Sequence, residues 1–148
     1  MPLDQSHVGR TYPPTAPYKV GREKIREFAD AVGAADPLHR DPAYASAKGY
    51  PDVIAPPTFP IVLTMAAGAQ FVHDPKVGID YSRVVHGDQR FRYARPIHAG
   101  DKLTCVLVVE DLSSRAGHDF VTLRTDVSTV DGEPVVSVWA RLVVRGEE

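Results

Sequence analysis

The chain has 148 residues, 43% of them apolar and 24% charged, with a formal net charge of -2 and a single cysteine. That is the length of one domain with enough apolar material for a real core, and the near-neutral charge offers no field to attract nucleic acid or an anionic membrane. A lone cysteine cannot close an internal disulfide and no apolar stretch of signal-peptide length stands near the start, so a single soluble domain in the cytoplasm is expected.

In chain order, the first predicted feature is an extended arm at Tyr12-Pro13-Pro14-Thr15-Ala16-Pro17, where the prolines deny a helix. An amphipathic helix follows. Ile25, Phe28, Ala29 and Val32 recur at i, i+3, i+4 and i+7, charged residues occupy the other faces, and Gly33 is a natural stop. The segment Asp36-Pro37-Leu38-His39-Arg40-Asp41-Pro42 holds two Asp-Pro steps. The residue before a proline is pushed out of the helical region, so this segment reads as a loop. A short helix is expected over 42–48, ending at Gly49. Residues 53–72 form a long uncharged run. Beyond its proline-rich opening roughly 15 residues remain, against about 20 needed to span a bilayer, so it predicts a buried helix. Pro57 suits the first turn of a helix over 57–72, apolar on nearly every side and therefore sheathed by protein all round.

From residue 84 onward the period becomes two. Leu103, Cys105, Leu107 and Val109 alternate with more polar neighbours, as do Val121, Leu123, Thr125 and Val127, and then Val136, Val138, Ala140 and Leu142. Turn signals separate these runs at Ala99-Gly100-Asp101, at 113–118 and at Asp131-Gly132. Helices first and antiparallel strands afterwards imply an α+β fold, with a sheet that needs a covering helix. An antiparallel sheet wrapped around one central apolar helix is a single hotdog.

Two stretches carry a resemblance. The segment from Asp36 to Pro42, with Ala45, Gly49 and Val53-Ile54-Ala55 behind it, resembles the hydratase motif of the MaoC-like (R)-hydratase/dehydratase family. The strand region Gln89-Arg90-Phe91-Arg92-Tyr93-Ala94-Arg95-Pro96, followed by Gly100-Asp101, is similar to the strand that comes after that motif. Val20-Gly21-Arg22-Glu23 and Ala55-Pro56-Pro57-Thr58-Phe59 resemble a narrower group, small MaoC-like proteins akin to the A subunit of the heterodimeric (3R)-hydroxyacyl-carrier-protein dehydratase. The resemblance implies one MaoC-like hotdog domain over 1–148 that binds a 3-hydroxyacyl or 2-enoyl thioester in fatty-acid metabolism. No cofactor is implied, the substrate being carried on coenzyme A or an acyl carrier protein. A dimer is implied too, with itself or with a second MaoC-like chain.

Hydration of an enoyl thioester needs a base for water, an acid for the α-carbon and donors for the developing enolate oxygen. The resemblance puts His39 in the histidine position, but the carboxylate expected five residues earlier is Ala34. Asp36 is the nearest substitute acid, with a cap of the following turn as its alternative role; Asp41 reads as the cap of the short helix. At the start of the central helix the family's His-Gly pair is Pro56-Pro57, and neither proline has an N–H to give. Thr58 and Phe59 are the remaining backbone donors, and Phe59, Leu63, Met65 and Ala66 are candidates to line an acyl tunnel. Arg90, Arg92 and Arg95 are candidates for a coenzyme A or phosphopantetheine phosphate, a solvated strand face being the alternative. The histidines and Cys105 show no metal-ligand spacing.

Two functions remain open at this point. Either the chain is itself a hydro-lyase, or it is an acyl-binding subunit whose catalytic MaoC-like partner supplies the chemistry. A hotdog thioesterase is disfavoured, because no Asp or Glu lies between Val53 and Val72.

Overall fold

The computed structural model describes residues 3–147. Strand β1 (Tyr18–Lys19) precedes helix α1 (Arg22–Val32), a one-turn 3-10 helix at Pro37–His39, α2 (Pro42–Ala47) and α3 (Ile61–Val72). Four long strands follow: β2 (Val84–Tyr93), β3 (Lys102–Arg115), β4 (His118–Thr129) and β5 (Pro134–Val144). They form one antiparallel sheet in the order β1-β3-β4-β5-β2. The α+β arrangement expected from the sequence is the one observed, a curled sheet around α3.

Helix α1 buries Ile25 and Ala29, and Phe28 meets Phe59 edge-to-face at 5.4 Å between ring centroids. Its stop is Gly33, whose φ of +74° lets its N–H turn back onto the Asp30 carbonyl while that of Ala34 reaches the Ala29 carbonyl. Val32, expected on the buried stripe, is exposed, because the chain turns away at Gly33 before anything covers that last turn.

The central helix begins later than the sequence suggested, at Ile61 rather than at 57. Pro57 and Pro60 bias Pro56 and Phe59 away from helical geometry, and residues 57–60 are spent on tight turns instead. Nor is α3 sheathed all round. Leu63, Ala67 and Phe71 are buried, but Met65 is 64% exposed. A five-stranded sheet curls only part of the way around a helix, and α3 is left open on one flank.

The two edges of the sheet differ. Along β3 the N-terminal arm donates from Gly9, Tyr12 and Thr15 to the carbonyls of Val109, Leu107 and Cys105. The outer edge of β2 is paired with nothing among the described residues. Cys105, on the inner face, is fully buried, and burial pushes its thiol up to about 11, so it behaves as a small apolar residue.

The β3–β4 hairpin turns at Ala116-Gly117, both at positive φ (53° and 79°), as a two-residue hairpin of this hand requires. Alanine bears a Cβ penalty there that asparagine largely escapes. Ala116→Asn is expected to stabilise the fold by about 1 kcal/mol, which corresponds to roughly 2–4 °C in a melting curve for a domain of this size. An unchanged or lower melting temperature would show that the turn relaxes without cost.

Candidate functional site

The Pro37–His39 turn is built by its own cap. Asp36 Oδ1 accepts from the Leu38 N–H at 2.9 Å, and the Asp36 carbonyl accepts from the His39 N–H at 3.1 Å. The Ile54 N–H reaches the Leu38 carbonyl at 2.9 Å, which ties the loop to the segment leading into α3. His39 is only 8% exposed, and its Nδ1 lies 2.7 Å from the Ile54 carbonyl oxygen. A carbonyl can only accept, so Nδ1 carries the hydrogen and, in the neutral ring, Nε2 keeps a lone pair free. That is the tautomer a general base needs.

Among the described residues no carboxylate is hydrogen-bonded to the His39 ring. Asp36 is exposed and serves as a cap, with no hydrogen bond to the imidazole among the described residues. Ala34 accepts from the Arg40 guanidinium through its backbone carbonyl, and Arg40 also pairs with Asp30. Asp41 caps α2 through the N–H groups of Ala43 and Tyr44.

At the approach to α3 the supply of donors is thin. The Phe59 N–H is committed to the Pro56 carbonyl at 2.9 Å, and the Pro57 carbonyl accepts from the Tyr93 hydroxyl at 2.6 Å. Of the two backbone donors considered from sequence, Thr58 alone keeps an N–H without a partner among the described residues.

Between α3 and the sheet lies a cavity of about 330 Å³. Ile61, Thr64, Met65, Gly68, Ala69 and Val72 present one face of the helix to it. Leu123, Thr125, Val138, Ala140 and Leu142 close the opposite wall, with His86 and Gln89 at the side of β2. Its size falls in the range of small-molecule sites. The room comes from small side chains: Gly68, where an added Cβ would meet nothing within 4 Å, with Ala69 and Ala140 around it. Met65 lines the cavity, whereas Phe59 and Leu63 belong to the packed core and Ala66 is not part of the wall.

Arg90 lies elsewhere. Its guanidinium stacks on Trp139 at 4.5 Å, on the outer face of the sheet, while its neighbours Gln89 and Phe91 point the other way. Arg95 is engaged by Asp101 and Glu133. His39 is thus tied through Ile54 to the segment that leads into α3, and Phe59 and Leu63 belong to the core. Arg90 is not gathered with them.

The sequence reading missed Gly68, Ala69, Thr64, Gln89, Thr125 and Ala140. A signal existed for some of them: Thr125 is the one polar residue in the inward set Val121, Leu123, Thr125, Val127. Among the described residues no group of three or more His, Cys, Asp or Glu side chains is placed to hold a metal ion. Nor is any helix there long and apolar enough to cross a membrane.

The family model of the FAS1-like dehydratase domain region matches residues 6–138. The chain belongs to that family. A solved MaoC-like dehydratase superposes on this family member with a TM-score of 0.89 at 34% identity, covering 96% of this chain. The chain spans only 43% of the length of that protein. A chain of the C-terminally truncated HadBC complex, a 3R-hydroxyacyl-ACP dehydratase from Mycobacterium tuberculosis, gives a TM-score of 0.83 at 34% identity over 93% of this chain and 96% of its own. The UPF0336 protein of Saccharopolyspora erythraea is 60% identical over 146 residues, 99% of this chain and 94% of that one. This member of the FAS1-like dehydratase family is thus a MaoC-like hotdog, as its sequence suggested.

Proposed function

We propose that this chain is the acyl-binding half of a dimeric dehydratase or hydratase that acts on 3-hydroxyacyl and 2-enoyl thioesters. The observation that carries this reading is the mostly apolar cavity of about 330 Å³ along α3, in a chain whose His39 is held as a base with no carboxylate hydrogen-bonded to it among the described residues. An acyl chain laid along α3 would bring its thioester to the Thr58 turn and His39. There the Thr58 N–H offers one hydrogen bond to the thioester oxygen, and His39 Nε2 offers a base. The proton at the α-carbon still needs a second group, and Asp36 is engaged as the cap of its own turn. A second MaoC-like chain with a carboxylate five residues before its histidine would supply the complete pair.

Two findings support an assembly of this kind. The outer edge of β2 is unpaired among the described residues, and a bare strand edge is a template for another strand. The HadBC structure, to which the chain is 34% identical, is of a complex. The carrier, coenzyme A or acyl carrier protein, belongs to the same proposal, with no further cofactor, and so do the place in fatty-acid metabolism and the cytoplasmic setting. Arg90, stacked on Trp139 outside the sheet, takes no part in it.

The test is loss of enoyl absorbance with crotonyl-coenzyme A. The purified chain alone is expected to turn over at least about 10³-fold more slowly than the same chain co-expressed with a MaoC-like partner bearing that Asp and His, because a missing general acid or base typically costs 10²–10⁴-fold. Full turnover by the chain alone, abolished in His39→Ala, would instead establish an independent hydratase.

A further inference from the structure

Among the described residues His39 is oriented by one acceptor, and that acceptor is a backbone atom. Its Nδ1–H reaches the Ile54 carbonyl at 2.7 Å. The hydrogen bond made by one ring nitrogen fixes the tautomer, and with it the lone pair on the other. A carbonyl can do this only as firmly as its own peptide is held.

What holds Ile54 is a very short ladder. It stands opposite His98 in an isolated antiparallel bridge. The Ala55 N–H donates to the Ile97 carbonyl at 2.8 Å, and the Ala99 N–H donates to the Val53 carbonyl at 3.0 Å. Pairing this short is not self-sufficient, so the position of residues 53–55 follows that of residues 97–99.

Residues 97–99 in turn lie inside a loop closed by a clasp. Arg95 donates from Nη1 and Nη2 to the two carboxylate oxygens of Asp101, at 3.0 and 2.9 Å. The same carboxylate accepts from the His98 N–H at 2.9 Å, the residue that faces Ile54 across the bridge. The Asp101 side chain is 5% exposed, so water and salt screen the clasp little. A route of short bonds thus runs from the Asp101 carboxylate to the His98 backbone, across the bridge to Ile54, and from its carbonyl to His39 Nδ1.

We propose that Asp101, gripped by Arg95, is a positioning residue for His39, holding it in the Nδ1–H tautomer that leaves Nε2 free as a base. Asp101 acts through the backbone, with no hydrogen bond to the His39 ring among the described residues. This rests on the reading of His39 as a base and adds the group that keeps it one.

Long-range proton–nitrogen correlation spectra of the full chain test it, with the His39 ring identified by its loss in His39→Gln. At a pH where the ring is neutral, the parent is expected to carry its hydrogen on Nδ1. Asp101→Ala is expected to move the tautomer ratio about fivefold or more toward Nε2–H, the range of one net hydrogen bond. Asp101→Asn keeps an acceptor for the His98 N–H and should move it less. The double variant Arg95→Met/Asp101→Leu leaves no buried charge unpaired, which protects the fold if the single variant unfolds, and should match Asp101→Ala. Val121→Ala, a truncation in the core on β4, lowers stability without touching the clasp and should leave the ratio as it is. An equal change in Val121→Ala would reduce the effect to general loosening and overturn the inference. If His39 keeps Nδ1–H in every clasp variant, the buried Val53 and Ile97 hold the segment unaided, and this inference fails while the base reading stands. If the parent itself carries the hydrogen on Nε2, the base reading falls and the inference with it.

Discussion

Gly68→Leu is expected to weaken binding of a tetradecanoyl thioester roughly 50-fold while leaving the fold at least as stable. The glycine lies on the cavity face of α3, and an added Cβ there meets open space. A leucine would reach into the volume that the far end of the acyl chain should fill. Displacing about three methylenes at ~0.8 kcal/mol each costs ~2.4 kcal/mol, which is the quoted factor. Replacing a mid-helix glycine meanwhile improves helix propensity by up to about 1 kcal/mol. A hexanoyl thioester stops short of that level and should bind the variant as it binds the parent. Calorimetry with the two chain lengths and a thermal melt separate these effects. Unchanged affinity for the long chain would remove the acyl group from this cavity.

Asp101→Ala is expected to cost about 3 kcal/mol of stability, within the usual range for breaking one partner out of a buried ion pair. The Asp101 side chain is almost wholly buried and receives both arms of the Arg95 guanidinium, at 3.0 and 2.9 Å. It also accepts from the His98 N–H at 2.9 Å, and its backbone carbonyl accepts from the Val20 N–H. The residue thus joins the segment between β2 and β3 to the start of α1. Removing it leaves Arg95 with Glu133, which is half exposed and screened by water. A fall of roughly 6–12 °C in melting temperature corresponds to that loss. Asp101→Asn, which keeps an acceptor for the backbone N–H, should fall between. A change under about 1 kcal/mol in the alanine variant would mean that local turn geometry, not the ion pair, holds the segment.

The Gly100-Asp101 step illustrates how far the sequence could be read. The turn was legible, because glycine and aspartate punctuate strands. The partner was not, because Arg95 is equally at home on a solvated strand face and nothing local chooses between the two. Arg90 makes the same point in reverse, since its attachment to Trp139 depends on the β2–β5 register. His39 was found through the motif around it, and its hydrogen bond to Ile54 emerged only from the folded loop. Asp36 and Asp41 were recognisable as caps, since capping depends on the next two or three residues alone.

By itself, then, the sequence determined what depends on near neighbours. Its periodicities placed α1 and the long strands, its uncharged run placed α3, its prolines and glycines set the turns, and its MaoC-like motif named the family. It also showed the loss of the expected acid at Ala34 and of two N–H groups at Pro56 and Pro57, which are matters of covalent identity. Tertiary structure alone decided where the helix begins under competing proline constraints, which flank of α3 stays uncovered, and which small residues on separate elements add up to one cavity. Gly68, Ala140, Thr125 and Gln89 come together only through packing and strand register. Cavities and their polar linings are made by residues distant in the chain, and no local pattern encodes the space between them.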